Sequence, residues 1–262
     1  MKFTAKASQI TSILLLGAIY CNCAHATQLV VPSTNASIEG NSSDGGTFGE
    51  GGGGDFRMQT VYGASQFQFF GGPILITGLA FRPDASPQGG GNSSEWSSTP
   101  ITVGMTIRLS TTPKAVDGLS STFASNIGSD ERTVLDGFVQ VSSFNTLTGN
   151  GTKNFDIIVN FATAFLYDPS AGNLLLDSRT FTGGNRRNHT VDGVSVPGDA
   201  VSNIHTGFGN GGSPTALGND SYGTIVQFSI SPVPESSSGA LLALGILTIG
   251  MVLNRKRTRI IV

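Results

Sequence analysis

Few side chains in this 262-residue chain can do chemistry. Beyond the first 26 residues the histidines are His189 and His205, with Asp192 and Asp199 near them in sequence. Imidazole nitrogens and carboxylate oxygens together form the donor set of a divalent metal site, and these four residues could supply one. The spacings that make such a site specific, His-x-x-x-His or Cys-x-x-Cys, are absent, and histidines in polar loops also serve as plain solvated groups. A second cluster lies in Tyr167–Asp177, where Asp168, Asn173 and Asp177 offer oxygens suited to calcium. The same residues read first as a tight hairpin turn, because Pro169 presets φ and Gly172 tolerates positive φ. The segment does not follow the D-x-[DN]-x-[DN]-G pattern of a calcium loop.

Catalytic signatures are sparse. No G-x-S-x-G elbow and no G-x-x-x-x-G-K-[ST] phosphate loop is present, and no G-x-G-x-x-G is expected to follow a strand. Paired carboxylates of the glycosidase kind carry no spacing signature, but the body offers only Glu39, Glu50, Glu95 and Glu131, with Glu235 beyond it. The reading is therefore non-enzymatic, with no cofactor and no metal assigned. Trp96, the single Trp, stands in the polar run Ser93–Ser98. An exposed Trp flanked by polar groups is a platform for sugar rings; the alternative is a Trp tucked onto a sheet edge.

What must position these residues is set by composition. The chain has 36 Gly and 12% charged residues, against averages of roughly 7% Gly and roughly 25% charged. Helical bundles, coiled coils and helical repeats need the opposite balance. Residues 27–235 hold nine Lys or Arg against seventeen Asp or Glu, a net of −8. Such an acidic body disfavours nucleic acid and anionic lipid as partners.

The hydrophobic period is two, not 3.6. Ile101, Val103, Met105, Ile107 and Leu109 alternate with polar or small residues and predict a half-buried strand. Phe155, Ile157, Val159 and Phe161 do the same. Further strands are expected over 28–31, 57–62, 66–70, 73–81, 133–141, 173–181, 191–196 and 222–230. Residues 112–127 have room for one helical turn. Gly/Ser-rich stretches over 35–55 and 84–100 predict flexible loops. Together these describe an all-β, antiparallel single domain over 27–231, of β-sandwich or jelly-roll-like form.

The two ends differ from the body. Lys2 and Lys6, the apolar run Ile10–Tyr20 and the Ala24-His25-Ala26 triplet have the layout of a secretory signal peptide over residues 1–26, cut by signal peptidase after Ala26. Both cysteines, Cys21 and Cys23, fall inside it, so the body lacks thiols and disulfides. At the other end, Pro234-Glu235-Ser236 precedes an apolar run from Gly239 to Leu253 and the basic residues Arg255, Lys256, Arg257 and Arg259. The eighteen residues from Ser236 to Leu253, at ~1.5 Å each, match a bilayer core, and the basic tail marks its cytoplasmic side. A single transmembrane helix is expected over about 237–253, within a terminal segment 232–262.

Pro-Glu, one short apolar helix and an Arg-rich tail together resemble the PEP-CTERM sorting signal of exported proteins of Gram-negative bacteria. Here Pro234-Glu235-Ser236 stands where that family has Pro-Glu-Pro. The resemblance covers roughly residues 232–260. It implies recognition by an exosortase near Pro234 and Glu235, an inner-membrane intermediate with the body in the periplasm, and a final place at the cell surface or in a polysaccharide-rich extracellular matrix. The expected function is that of a non-enzymatic surface or matrix protein. A carbohydrate-binding module with Trp96 as contact and a secreted glycan hydrolase are the alternatives.

Overall fold

The computed structural model describes residues 26–48, 55–85, 96–144, 151–181 and 190–233. The expected leader, with Ala24, lies outside these residues, as do the expected sorting signal from Pro234 onward, the expected transmembrane helix and basic tail, and His189. Among the described residues the chain is almost wholly strand and turn. The strands are β1 (Thr27–Val31), β2 (Ser42–Asp44), β3 (Phe56–Tyr62), β4 (Ile74–Phe81), β5 (Ile101–Thr112), β6 (Arg132–Val141), β7 (Ile157–Tyr167), β8 (Asn173–Phe181), β9 (Val191–Ser195), β10 (Val201–His205), β11 (Gly218–Asp220), β12 (Tyr222–Thr224) and β13 (Val226–Pro232). No helix among the described residues is long and apolar enough to cross a membrane.

Every strand pairing is antiparallel. The strands form a six-stranded sheet in the order β11-β10-β3-β8-β5-β6, a four-stranded sheet β1-β13-β4-β7, and a three-stranded sheet β12-β9-β2. This order is not that of a jelly roll. The expected all-β antiparallel class is found, and the jelly-roll arrangement is not.

One apolar core joins the sheets. It takes Met105, Ile107, Leu109 and Leu176 from the six-stranded sheet and Leu29, Ile76, Leu79, Phe228 and Ile230 from the four-stranded sheet. Tyr62 meets Phe228 edge to face with ring centroids 5.1 Å apart, and Phe67 packs edge-on against both Tyr167 and Phe228. Edge-to-face contact suits the ring quadrupoles and adds to the area buried. The opposite face of the six-stranded sheet is covered by a smaller cluster of Val61, Leu119, Phe123, Leu175 and Ile204. That cover explains one departure from expectation. The alternating strand β5 was expected to be half-buried, yet its polar members Thr106, Ser110 and Thr112 are buried too.

Other departures have local causes. Residues 66–70 were expected as a strand but form parts of two short 3-10 turns, Ala64–Gln66 and Gln68–Phe70, closed by Gly71 at φ 72°. The left-handed conformation needed there is one that glycine adopts freely. The expected strand over 222–230 breaks at buried Ile225, so that β12 and β13 enter different sheets. The 112–127 turn is present as a 3-10 turn at Phe123–Asn126. The stretch 35–55, expected to be a flexible loop, contains β2 and the buried residues Asp44, Thr47 and Phe48. It is ordered by Asp44, whose carboxylate accepts the N–H groups of Gly46 and Thr47 and the hydroxyls of Thr47 and Thr224. Periodicity cannot reveal an element held by one buried acid.

Candidate functional site

The strongest concentration of buried charge lies where the three-stranded sheet meets the end of β4. β4 ends at Phe81, and Arg82, Pro83 and Asp84 follow at once. Pro83 forms an isolated bridge with Val191 at the start of β9, which brings Asp192 beside Arg82. Both side chains are fully buried. Arg82 donates to Asp192 through Nε at 2.7 Å, and Nη2 lies 2.5 Å from the same carboxylate. Nη2 also donates to the carbonyl of Ile38 at 2.6 Å, and the guanidinium stacks 4.8 Å from the Phe155 ring centroid. Asp192 in turn accepts the Gly40 N–H with both oxygens, at 3.0 and 3.2 Å.

Two more acids join this pair. Glu39 sits between Ile38 and Gly40, accepts the Ala85 N–H at 2.8 Å through Oε1, and leaves Oε2 buried without a partner. Asp84 is buried. One oxygen from each of Glu39, Asp84 and Asp192 lies within 4.8 Å of the others, which is a distance range a cation could bridge. The electrostatics follow from burial. Loss of water raises the Asp192 pKa from 3.8 to about 6; the Arg82 charge opposes this, and the Glu39 charge adds to it.

What this arrangement can do chemically is limited by its hydrogen bonds. Both oxygens of Asp192 already accept from Arg82 and Gly40, and the Arg82 guanidinium occupies the place nearest to them. The group therefore acts as a clamp. It ties residues 38–40, the end of β4 and β9 to one another, and the Ile225 N–H donates to the Asp192 carbonyl at 3.1 Å.

A second buried network lies on the covered face of the six-stranded sheet. Asp177 accepts a bidentate pair from Arg57, at 2.9 Å from Nε and 2.5 Å from Nη2, and a third bond from Gln59 at 2.8 Å. Gln59 also bonds Asn126 at 2.9 Å and the Phe123 carbonyl at 3.2 Å. The Arg57 guanidinium lies 4.5 Å from the centre of the Phe123 ring. This network pins the 119–127 segment to β3 and β8.

The calcium grouping expected from Asp168, Asn173 and Asp177 does not form. Asp168 closes a turn by accepting the Ser170 N–H and hydroxyl through Oδ1, which holds its carboxyl below the usual range. Asn173 accepts the Ala64 N–H and donates to the Lys114 carbonyl. Asp177 belongs to the Arg57 network, four residues further along an extended strand. The turn reading of 168–173 holds with one change. Its flanking strands β7 and β8 lie in different sheets, so it crosses between layers and does not close a hairpin.

Of the grouping His189, Asp192, Asp199 and His205, His189 lies outside the described residues and the other three take separate roles. Asp192 is in the clamp. Asp199 accepts the Val201 N–H at 2.8 Å, and burial raises its pKa. His205 stacks on Phe56 with centroids 5.8 Å apart. Trp96 is 4% exposed, packs edge-on against Phe48, and donates its indole N–H to the Thr190 carbonyl at 2.9 Å. It presents no open ring face, so of the two readings of Trp96 the structure fits the Trp tucked onto the sheet edge and not the sugar platform. Gly207–Gly212 is a G-x-G-x-x-G that does follow a strand, β10. It leads into turns, without the helix N-terminus that would hold a phosphate.

Sequence reading missed the clamp because Glu39, Arg82 and Asp192 are far apart in the chain and share no motif. The only signal was a charged pair, Arg82 and Asp84, bracketing a Pro at the end of a strongly apolar strand. No family model matches this chain, and neither the curated proteins nor the solved structures contain a match.

Proposed function

We propose that this chain is an exported, membrane-tethered or exosortase-released, non-enzymatic protein of the cell surface or extracellular matrix, with a β-sandwich body. The observation that supports it most is where the body begins and ends. β1 pairs with β13 antiparallel, with Thr27 opposite Ile230. The residue that would follow signal cleavage and the strand that leads into the sorting segment thus leave from one end of the four-stranded sheet. A body held at a membrane by a C-terminal helix needs that connection on the side facing the membrane, and a leader cut after Ala26 leaves its new N-terminus at the same end.

The buried charges fit the same reading. Arg82 and Asp192 are spent on joining β9 to the end of β4, and Arg57 and Asp177 on holding β3, β8 and, through Gln59, the 119–127 segment. In a body without cysteine, such clamps take over a task that disulfides perform in many exported domains.

The test is deletion of residues 233–262, followed by fractionation of cells and medium. The truncated body is expected in the medium, while the full chain stays with the cells or is shortened near Pro234. A truncated body that remains cell-bound like the full chain would overturn the proposal.

A further inference from the structure

The outer side of the six-stranded sheet is only partly covered. Val103, Met105, Ile107 and Leu109 of β5 belong to the main core, so Gly104, Thr106 and Arg108 face out. Register sets their neighbours. Gly104 pairs with Phe138 of β6 and Phe181 of β8, Thr106 with Asp136 and Arg179, and Arg108 with Asp177. Side chains of directly paired residues share a face, so these form one strip. The cluster with Leu119 and Phe123 covers Val61, Leu175 and Ile204 beside it. The strip itself meets solvent. Phe138 is 65% exposed, Asp136 is exposed, and the Arg179 side chain is 40% exposed.

Two features of the strip point to a ligand. The first is a pair of rings. A Cβ at Gly104 would stand 2.6 Å from the Phe181 ring and 3.1 Å from the Phe138 ring. The two rings therefore lean over the glycine, edge to face with centroids 5.9 Å apart. Glycine inside a strand costs stability and marks such close approach; here it seats an aromatic ring that stays in water. The second feature is Arg108, half-buried on the same strip. It stands opposite Asp177, but that carboxylate accepts from Arg57 and Gln59. Among the described residues no acid pairs with Arg108 and no acceptor takes its N–H groups.

The charges on this face say what kind of ligand fits. Arg57, Arg108 and Arg179 stand among Asp55, Asp136 and Asp177, so the strip is neutral within a body of net −8. It draws neither a polyanion nor a polycation. Hydroxyl groups both donate and accept, and a free guanidinium beside an exposed carboxylate meets both needs. Asp136 already accepts one hydroxyl, that of Thr106, at 2.8 Å. The C–H faces of a sugar ring are apolar and lie flat on an aromatic ring. Gly104 and Arg108 are about 13 Å apart along an extended strand, which lets the ring and the guanidinium meet different sugars of one chain. We propose that Phe138, Arg108 and Asp136 bind a neutral polysaccharide laid along β5 and β6, with Phe138 as the stacking platform. This site lies in the body and needs no tether, so it stands apart from the reading of residues 234–262.

The experiment uses the full chain in a detergent whose headgroup is not a sugar. Soluble β-glucan, mannan and galactan are the neutral probes and alginate the acidic one, in affinity electrophoresis. At least one neutral chain is expected to bind. Phe138→Ala should weaken that binding about tenfold, the effect of one lost stacking contact, while Phe138→Tyr keeps the ring and the affinity. Arg108→Gln should weaken it severalfold. Ile158→Ala, at a site 54% exposed on the four-stranded sheet, should leave it unchanged. Trp96 emission reports that each variant is folded. Binding to none of the neutral chains overturns the proposal, as does binding that Phe138→Ala and Arg108→Gln both leave intact. Binding confined to alginate would assign Arg108 to an anion and overturn the neutral chain. Self-association that Phe138→Ala removes and no glycan competes would put a second copy on the strip and overturn it as well.

Discussion

Arg82 and Asp192, separated by 110 residues in the chain, form an ion pair at 2.5 Å with neither side chain exposed to solvent. Their remaining bonds run to the carbonyl of Ile38 and the N–H of Gly40. Three segments far apart in the chain, residues 38–40, the end of β4 and β9, meet in one pair of side chains, beside the backbone bonds that β9 makes to Arg82 and to β2. Removing two charges from water is costly, and the pair is tolerable only because most of its polar atoms are bonded to protein.

Breaking the pair from one side should be far worse than removing it. Arg82→Met leaves a buried carboxylate facing Glu39 and Asp84 and is expected to cost about 3–5 kcal/mol. The double variant Arg82→Met with Asp192→Leu should recover much of that loss. Urea unfolding of the single and double variants checks this. Equal losses in the two would show that the charges are not coupled.

The pH dependence has a definite sign. Asp192 has its pKa raised from 3.8 to about 6 by burial, so the folded protein holds this proton more tightly than the unfolded chain does. The stabilisation from this group is complete below about pH 4, the unfolded value. It is lost as pH rises through 6. Stability should therefore fall between about pH 4 and 6, and level off above that, by an amount that Asp192→Asn abolishes. The readout is the difference in unfolding midpoint between wild type and variant across that range, which removes contributions from other groups such as Asp168. A variant with an unchanged pH profile would refute it.

Trp96 gives a direct optical check of the fold. It is the one Trp of the chain and is 4% exposed, so its emission should be blue-shifted and shielded from iodide in the native state. Unfolding should shift it to the red and expose it. Trp96→Phe keeps most of the apolar packing but leaves the Thr190 carbonyl without the indole donor, at a cost of about 1 kcal/mol. Strong native-state quenching by iodide would place Trp96 on the surface and restore it as a ligand contact.

Strand content was legible in the sequence wherever one face was apolar. β3, β4, β5, β6, β8 and β9 fall close to where period two and Gly/Pro punctuation put them, since alternation is a local property of the backbone. The segment 168–173 was legible as a turn because Pro169 and Gly172 fix the backbone locally. Its neighbours' membership in two sheets was not, because nothing local encodes which layer a strand joins.

The sequence alone determined the class of the body, its acidic charge, its lack of cysteine beyond residue 26, and a layout at the two ends that reads as leader and sorting signal. All of these follow from composition or from runs of adjacent residues. Tertiary structure decided which polar residues meet. It separated Asp168, Asn173 and Asp177, which lie within ten positions of one another, because an extended strand carries such neighbours apart. It joined Arg82 to Asp192 and Arg57 to Asp177 across more than a hundred positions, because antiparallel pairing sets register by the pattern of the core. It also brought Thr27 beside Ile230 at one edge of a sheet, and so placed the beginning and end of the body on a common side.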